Sequence, residues 1–264
     1  MFKIICARLQ QGHRTFTYPD GPTPPLPDRL RGRPALDTAK CLPECRVCTQ
    51  VYPTGAITKT DKLQIDLGKR LFCAECAAAC PQQALTFSGD HRLSVRHRQD
   101  LLVTQDHQTL RLAAAMDAEI RKLYGRSLKL RQVSAGGCNA CEADTNVLGT
   151  LAWDLGRFGI QFVASPRHAD GLLVTGPVTR NMQLALKKTY DAVPDPKIVI
   201  VVGACAISGG PYINHDQVNN GAEAVVPVDL YIPGCPPHPL TILDGLLRFL
   251  GRQNAKAFQA EHGQ

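Results

Sequence analysis

Apolar runs and helical stripes alternate along the second half of the chain. Four apolar runs rich in β-branched residues predict buried strands: LKLRQVSA, IQFVAS, GLLVTG and KIVIVVGA. Three segments with apolar residues every three or four positions predict amphipathic helices: TNVLGTLAWDL, VTRNMQLALKKTYDAV and PLTILDGLLRFLGR. Because this alternation is typical of a parallel sheet covered on both faces, we predict an α/β domain of flavodoxin-like type over residues 127–264.

The first half of the chain predicts shorter elements. The segment MFKIICARLQ predicts a short helix, and the proline-rich stretch after it predicts an extended arm, within residues 1–40, that lies on another surface. Two alternating segments, AITKTDKLQIDLG and LTFSGDHRLSV, predict antiparallel hairpins of a small α+β domain over residues 41–104. An apolar stripe within residues 105–126 predicts a linker helix that ends at Gly125.

The composition fits two unequal globular domains and excludes several classes of protein. The chain has 264 residues, 44% of them hydrophobic, and a net charge of +7. Aromatic residues are only 6% and are not interleaved with the basic ones, so we predict no nucleic-acid partner. No stretch approaches eighteen apolar residues, which predicts no transmembrane segment, and the apolar N-terminal run is too short for a signal peptide. We expect a soluble chain in the reducing cytoplasm that reaches a membrane through partners.

Four of the eleven cysteines lie in glycine- or proline-marked loops of the predicted α/β domain. They are Cys138, Cys141, Cys205 and Cys235. Each loop follows an apolar run, which before Cys235 is VPVDLYIPG, and doubly wound sheets form their sites beyond the carboxyl ends of the strands. Four thiolates are the usual ligand set of a [4Fe–4S] cluster, which is our prediction here. A zinc site and ordinary core packing are the alternatives.

An approximate repeat in the first half resembles the bacterial two-cluster ferredoxin motif, C-x2-C-x2-C-x3-C-P. Aligned on the proline, each copy lacks one cysteine: Tyr52 stands in the fourth place of the first copy and Arg70 in the first place of the second. The cysteines present are Cys41, Cys45 and Cys48 in the first copy and Cys73, Cys76 and Cys80 in the second.

Cross-ligation explains this pattern, because in such ferredoxins the fourth cysteine of each copy binds the cluster of the other copy. Both missing ligands then belong to the second cluster, and the first keeps a full set. That set is Cys41, Cys45, Cys48 and Cys80. We interpret Cys73 and Cys76 as relict ligands buried as thiols, with a disulfide or an unusual ligand set as alternatives. Cys41 and Cys45 are one residue further apart than in the motif, so this turn must bulge.

Four separated motifs together resemble the small, cluster-bearing subunit of energy-converting [NiFe] hydrogenases, including those of formate hydrogenlyases. They are GGCNACEAD, SPRHADGLLVTGPVT, GACAISGG and VDLYIPGCPP, within residues 128–252. The same fold family includes the 20 kDa subunit of respiratory complex I. In the complex I branch the first two ligands are adjacent, whereas Asn139 and Ala140 separate them here, which is similar to the hydrogenase branch.

The resemblance implies an electron-transfer subunit with two [4Fe–4S] clusters, one of them in the ferredoxin-like domain. Its partners would be a large subunit with a [NiFe] centre and the other hydrophilic and membrane-arm subunits of a complex I-like assembly, on the cytoplasmic face of the inner membrane. The alternative is the equivalent subunit of a complex I-like oxidoreductase with a large subunit that binds quinone or has lost its metal centre. A zinc-stabilised interaction protein is a third hypothesis.

Three further residues are candidates for roles beside the C-terminal cluster. An acidic residue occupies the place of Glu142 in the hydrogenase branch, so Glu142 is a candidate proton relay; a first-turn acid favoured by the helix dipole is the alternative. In the family the loop that holds Arg167 and His168 lies toward the large subunit and the cluster. A cation there would raise the reduction potential, although Arg167 could equally pair with Asp170.

Overall fold

The computed structural model describes residues 2–12, 14–104, 106 and 108–252. The strands, in chain order, are β1 (Pro34–Leu36), β2 (Ile57–Lys59), β3 (Leu63–Asp66), β4 (Leu85–Phe87), β5 (Leu102–Thr104), β6 (Leu128–Ser134), β7 (Ile160–Phe162), β8 (Gly171–Thr175), β9 (Ile198–Val202) and β10 (Leu230–Ile232). The α-helices are α1 (Phe2–Gln11), α2 (Val47–Val51), α3 (Glu75–Ala78), α4 (Ala118–Tyr124), α5 (Ala140–Val147), α6 (Arg180–Ala192), α7 (Ala204–Ser208) and α8 (Pro239–Phe249).

A five-stranded parallel sheet forms the larger half of the molecule. Its order is β7-β6-β8-β9-β10, and every neighbouring pair is parallel. Counted along the chain, this is the 2-1-3-4-5 order of flavodoxin-like folds. All residues of β8 and β9 are buried, as expected of central strands with both faces covered. The predicted α/β fold is therefore confirmed.

Successive strand residues pack into different layers on the two faces of this sheet. Leu172 and Val174 of β8 pack in one hydrophobic core with Leu186 of α6. Leu173, between them, packs in a second core with Leu243 and other residues of α8. The predicted helices over α6 and α8 are thus present and cover opposite faces.

The N-terminal half contains two small antiparallel sheets. β2 and β3 form the expected hairpin, with Lys59 opposite Leu63. β5 pairs with the other edge of β3. The second predicted hairpin is wrong, because β4 pairs with β1 of the N-terminal arm instead. The segment after β4 does not pair with β4, because the backbone of Val95 forms two hydrogen bonds with Tyr231 of β10.

The arm runs over the surface of the larger half before it reaches β1. The Phe16 backbone N–H donates to the Ala152 carbonyl at 2.8 Å. Tyr18 is buried, and its hydroxyl donates to the Asp244 carboxylate of α8 at 2.6 Å. The Arg157 guanidinium donates to the Tyr18 carbonyl at 2.7 Å. These contacts order the arm on another surface of the same chain.

Two predicted helices are shorter than the sequence pattern indicates. The linker helix is limited to α4, and residues 108–117 have no regular structure. Ala113 and Met116 of the apolar stripe are nevertheless buried in a hydrophobic core. They are held there as an irregular segment, because the Ala113 backbone N–H donates to the Ser94 carbonyl and that of Met116 donates to the Phe249 carbonyl. The helix predicted over residues 145–155 ends at Val147, after which tighter turns follow.

The two halves share one hydrophobic core. Leu67 and Leu101 from the N-terminal half pack in the same cluster as Val174 and Ile207 of the parallel-sheet half. Both predicted cysteine sets are therefore held in one folded body. The predicted α/β domain continues to residue 264, of which residues 253–264 lie outside the described part of the chain, as do residues 105 and 107 of the predicted linker helix.

Candidate metal centres

The C-terminal cysteines gather at one edge of the parallel sheet. β6, β9 and β10 run in the same direction, so their carboxyl ends lie at this edge. Cys138, Cys205 and Cys235 lie in the segments that follow these three strands, and Cys141 lies in the first turn of α5. Asn139, which precedes α5, has a left-handed φ of 70° and turns the chain between the paired cysteines. The fold thus presents the four thiols where doubly wound sheets form their sites.

Two glycines leave room for the sulfur atoms of this set. Gly203, between β9 and α7, has a φ of 91°, and a Cβ atom on it would lie 2.5 Å from the Cys141 sulfur. A Cβ atom on Gly210 would lie 2.8 Å from the Cys205 sulfur. Both distances are far below van der Waals contact, so any larger residue would enter the space of a thiol.

Burial, together with the neighbouring cysteines, raises the pKa values of three thiols of this set. Burial raises the pKa of Cys205 to about 12, and the charges of Cys235 and Cys138 add to the effect. Burial also raises the pKa values of Cys141 and Cys235, with the neighbouring cysteines contributing. Such thiols stay neutral by themselves, whereas a bound metal deprotonates them. The arrangement therefore fits ligands that ionise when a cationic centre is bound.

Glu142 is buried behind the glycine turn that carries Cys138. Its Oε1 atom accepts hydrogen bonds from the hydroxyls of Ser134, at 2.5 Å, and Thr175, at 2.6 Å. A Cβ atom on Gly137 would lie 3.8 Å from the same oxygen. The two hydroxyls orient this carboxyl group beside the turn that carries Cys138, and its role as a proton relay stays a prediction.

The four cysteines assigned to the N-terminal cluster line one cavity. They are Cys41, Cys45, Cys48 and Cys80. The other lining residues include Leu36, Leu63 and Leu85, which surround the thiols with apolar side chains. Burial and the charges of Cys41 and Cys45 raise the pKa of the Cys48 thiol. A shared cavity with four thiols fits the donor set of a [4Fe–4S] cluster, which stays our prediction here.

Lys59 is a residue at this site that the sequence did not reveal. Its ammonium group donates to the Cys41 sulfur at 3.5 Å, the Leu42 carbonyl at 2.6 Å and the Cys45 carbonyl at 3.2 Å. These bonds satisfy the backbone of the turn that is one residue longer than the motif. Sequence spacing indicated the bulge, but not that a lysine of the β2–β3 hairpin supports it.

The relict pair does not line that cavity, although α3, which carries Cys76, packs against α2. Of the cysteines in the described residues, Cys73 and Cys76 are not among those that line it. All eleven cysteines are free, so the disulfide alternative for this pair is not formed. No group of three or more His, Cys, Asp or Glu side chains in the described residues is arranged to hold a single metal ion.

Comparison with known proteins identifies the family. The family model of the NADH ubiquinone oxidoreductase 20 kDa subunit matches residues 138–249. The chain is 43% identical over 130 residues to the probable membrane-bound hydrogenase subunit mbhJ of Pyrococcus furiosus, covering 49% of this chain and 78% of that protein. This chain belongs to the 20 kDa subunit family.

Other proteins similar to this 20 kDa family chain come from three kinds of enzyme complex. It is 46% identical over 138 residues to formate hydrogenlyase subunit 7 of Escherichia coli, covering 52% of this chain and 54% of that protein. It is 41% identical to an NADH-quinone oxidoreductase subunit of Bacteroides thetaiotaomicron over 51% of this chain and 68% of that protein. A chain of the archaeal membrane-bound sulfane sulfur reductase aligns with a TM-score of 0.45 and 31% identity, over 56% of this chain and 84% of that one.

The region that matches the family model includes one of the two cysteine sets and not the other. Proteins of the 20 kDa family bind a [4Fe–4S] cluster, and the C-terminal set lies wholly within the matched region. The glycine-bounded thiols of that set fit such a cluster in number and donor chemistry. The N-terminal set lies outside the match, so the second cluster rests on the ferredoxin-like spacing and the shared cavity.

Arg167 and His168 lie away from the edge that carries the cysteines. Both are at least partly exposed in a short 3-10 turn, Pro166–His168, that leads into the amino end of β8. The cysteines follow the carboxyl ends of the strands parallel to β8. Asp170 accepts a hydrogen bond from the Lys129 backbone N–H at 2.6 Å. The proposed influence of Arg167 and His168 on a cluster stays a prediction.

Among the residues that the structure describes, no helix of this 20 kDa family chain is long and apolar enough to cross a membrane.

Proposed function

We propose that this chain is the iron–sulfur electron-transfer subunit of a multisubunit, membrane-associated, energy-converting [NiFe] hydrogenase. It relays electrons between a donor or acceptor and the active site of a separate large subunit. Support comes from the two hydrogenase relatives, at 43% and 46% identity, together with the separated Cys138 and Cys141 that are similar to the hydrogenase branch.

The observation that carries the proposal is the presence of two four-cysteine sets in one folded body. One set lines a single cavity, and the other gathers at the carboxyl edge of the sheet. The shared hydrophobic core holds the two sets in a fixed relation. A fixed relation between two redox centres is what an electron relay needs, because electron transfer over a varying distance would be inefficient.

The residues of the chain have separate tasks in this relay. When bound, each [4Fe–4S] cluster supplies reversible one-electron transfer. The cysteines hold the clusters, and Lys59 places a positive charge beside Cys41. Glu142, oriented by Ser134 and Thr175, holds or releases the proton that compensates a change of charge.

We further propose that the partners are a [NiFe]-type large subunit and complex I-like hydrophilic and membrane-arm subunits on the cytoplasmic face of the inner membrane. The alternative is the same relay in an oxidoreductase with a quinone-binding large subunit. The NADH-quinone oxidoreductase relative, at 41% identity, supports that alternative. Hydrogen evolution by the purified complex distinguishes the two, because only the first predicts it.

The first test is the iron, acid-labile sulfide and zinc content of the anaerobically purified full chain, with EPR of the dithionite-reduced sample. We expect about eight irons per chain and two interacting [4Fe–4S] signals. About four irons would remove the redox role of the N-terminal set. Zinc in place of iron would support the structural alternative and overturn the proposal.

A further inference from the structure

The two positions at which the ferredoxin-like repeat lacks a cysteine meet in the fold. The centre of the Arg70 guanidinium lies 5.0 Å from the centroid of the Tyr52 ring. The Nη2 group of Arg70 also donates to the sulfur of Cys76, one of the two cysteines that remain at this place, at 3.0 Å. Side chains therefore fill the position that the motif gives to a second cube.

Arg70 carries a deeply buried charge. Its side chain is fully buried, and its Nε and Nη1 groups have no hydrogen-bond partner among the described residues. The Phe87 ring covers the guanidinium at 4.9 Å from its centroid, so two aromatic rings and one sulfur hold the cation. Burial of a charge is unfavourable unless it is compensated, and arginine stays protonated in proteins. A permanent positive charge thus lies inside the N-terminal half.

Contacts around Arg70 lead to elements of both candidate metal centres. On one side, α3, which carries Cys76, packs against α2, which carries Cys48 of the N-terminal set. On the other side, Phe72 lines a cavity together with Cys235 of the C-terminal set. Phe72 follows Arg70 by two residues and has a left-handed φ of 54°, a rare backbone conformation for a bulky residue. Residues next to Arg70 in the chain and in the fold therefore contact elements that carry cysteines of both sets.

We propose that Arg70 replaces the second cluster with a fixed positive charge that raises the reduction potential of the N-terminal cluster. The inference rests on the proposed function, because it requires that cluster to be present. Each electron that the cluster accepts makes it more negative, and a nearby cation in a medium of low dielectric stabilises the reduced form. Arg70 itself neither gains nor loses an electron or a proton; it acts as a tuning residue.

The test is an EPR-monitored redox titration of the full, cluster-loaded chain. Arg70→Met removes the charge and keeps an apolar side chain of similar length, and Arg70→Lys keeps the charge. Lys69→Met is the matched control, because it removes a charge from the neighbouring residue, whose side chain is half-exposed. The N-terminal signal is identified as the one that Cys80→Ser abolishes.

We expect the potential of the N-terminal cluster to fall in Arg70→Met, to stay near the native value in Arg70→Lys, and to change much less in Lys69→Met. Equal potentials in Arg70→Met and the native chain would overturn the inference. Loss of the N-terminal cluster in both Arg70 variants would also overturn it, since Arg70 would then serve folding alone. Fewer than about eight irons in the native chain would instead contradict the proposed function, before any variant is measured.

Discussion

Ser208 donates its hydroxyl hydrogen bond to the carbonyl of Gly68 across 2.9 Å, which joins the two halves of the molecule. Ser208 ends α7, the helix that carries Cys205, and Gly68 comes two residues before Arg70. A Cβ atom on Gly68 would lie 2.7 Å from a methyl group of Ile207, so the two segments are in close contact. The helix that carries Cys205 is therefore fixed to the N-terminal half of the molecule at this point.

Ser208→Ala should destabilise the whole molecule. The change removes a buried hydrogen bond and leaves the Gly68 carbonyl without this donor, which costs about 1–3 kcal/mol. The measurement is urea unfolding of the full chain, in which both halves should lose stability in one transition. Thr189→Ala is the control, since its hydroxyl bonds locally on the exposed face of α6. Unchanged stability in Ser208→Ala would show that this junction is not important for the fold.

Lys59→Met should lower the reduction potential of the N-terminal cluster. The lysine places a positive charge 3.5 Å from the Cys41 sulfur and binds two carbonyls of the same turn, so its removal destabilises the reduced, more negative form. EPR-monitored titration measures the effect. Lys62→Met is the matched control, because Lys62 lies on the same hairpin but is exposed and paired with Asp106. A similar shift in both variants would argue against a specific role for Lys59.

The sequence predicted the larger sheet well because its signals are local. Continuous apolar runs such as β8 and β9 are typical of central strands in a covered sheet, and the cysteines follow three of its strands. The ferredoxin-like spacing also grouped Cys80 with the cysteines of the first copy; these four cysteines line one cavity, and their assignment to one cluster stays a prediction. The grouping depends on the rule that the fourth cysteine of one copy binds the cluster of the other copy. Neither copy shows this rule by itself.

What the sequence missed depends on contacts between distant segments. The strand β4 finds its partner in the N-terminal arm, about fifty residues earlier in the chain, rather than in the segment after it. The apolar residues that predicted a long linker helix lie partly in a segment without regular structure, because the backbone N–H groups of Ala113 and Met116 form hydrogen bonds with distant parts of the chain. Lys59 reaches the Cys41–Cys45 turn only through the fold. Periodicity and spacing contain no information of this kind.

Glu142→Gln should remove the pH dependence of the C-terminal cluster's reduction potential. If Glu142 takes up a proton on reduction, the native potential falls as pH rises, by at most about 59 mV per pH unit for one proton per electron. Glutamine keeps the shape and an acceptor for Ser134 and Thr175 but cannot titrate. Glu119→Gln is the control, because Glu119 is an exposed carboxylate of α4 that pairs with Lys122, and it should keep the native slope. An unchanged slope in Glu142→Gln would leave Glu142 as a structural acid.

Cys73 and Cys76 should be dispensable for iron binding. Replacing both by Ser should leave the iron content at about eight per chain, because neither lines the cavity of the N-terminal set. Cys80→Ser is the positive control, since it should lose about one cube of four irons. Colorimetric iron and sulfide analysis measures both. Loss of iron in the double variant would show that the assignment of cysteines to clusters is wrong.

The double change Tyr52→Cys with Arg70→Cys should create a site for a further cluster. Tyr52 and Arg70 are in contact and lie beside Cys76, so cysteines at both positions complete the four-thiol set of the ferredoxin motif. After reconstitution with iron and sulfide, the iron content should rise from about eight to about twelve per chain. Either single change supplies only three thiols and should not reach that value. A folded double variant that binds no more iron than the native chain would show that this place no longer has the geometry of a cluster site.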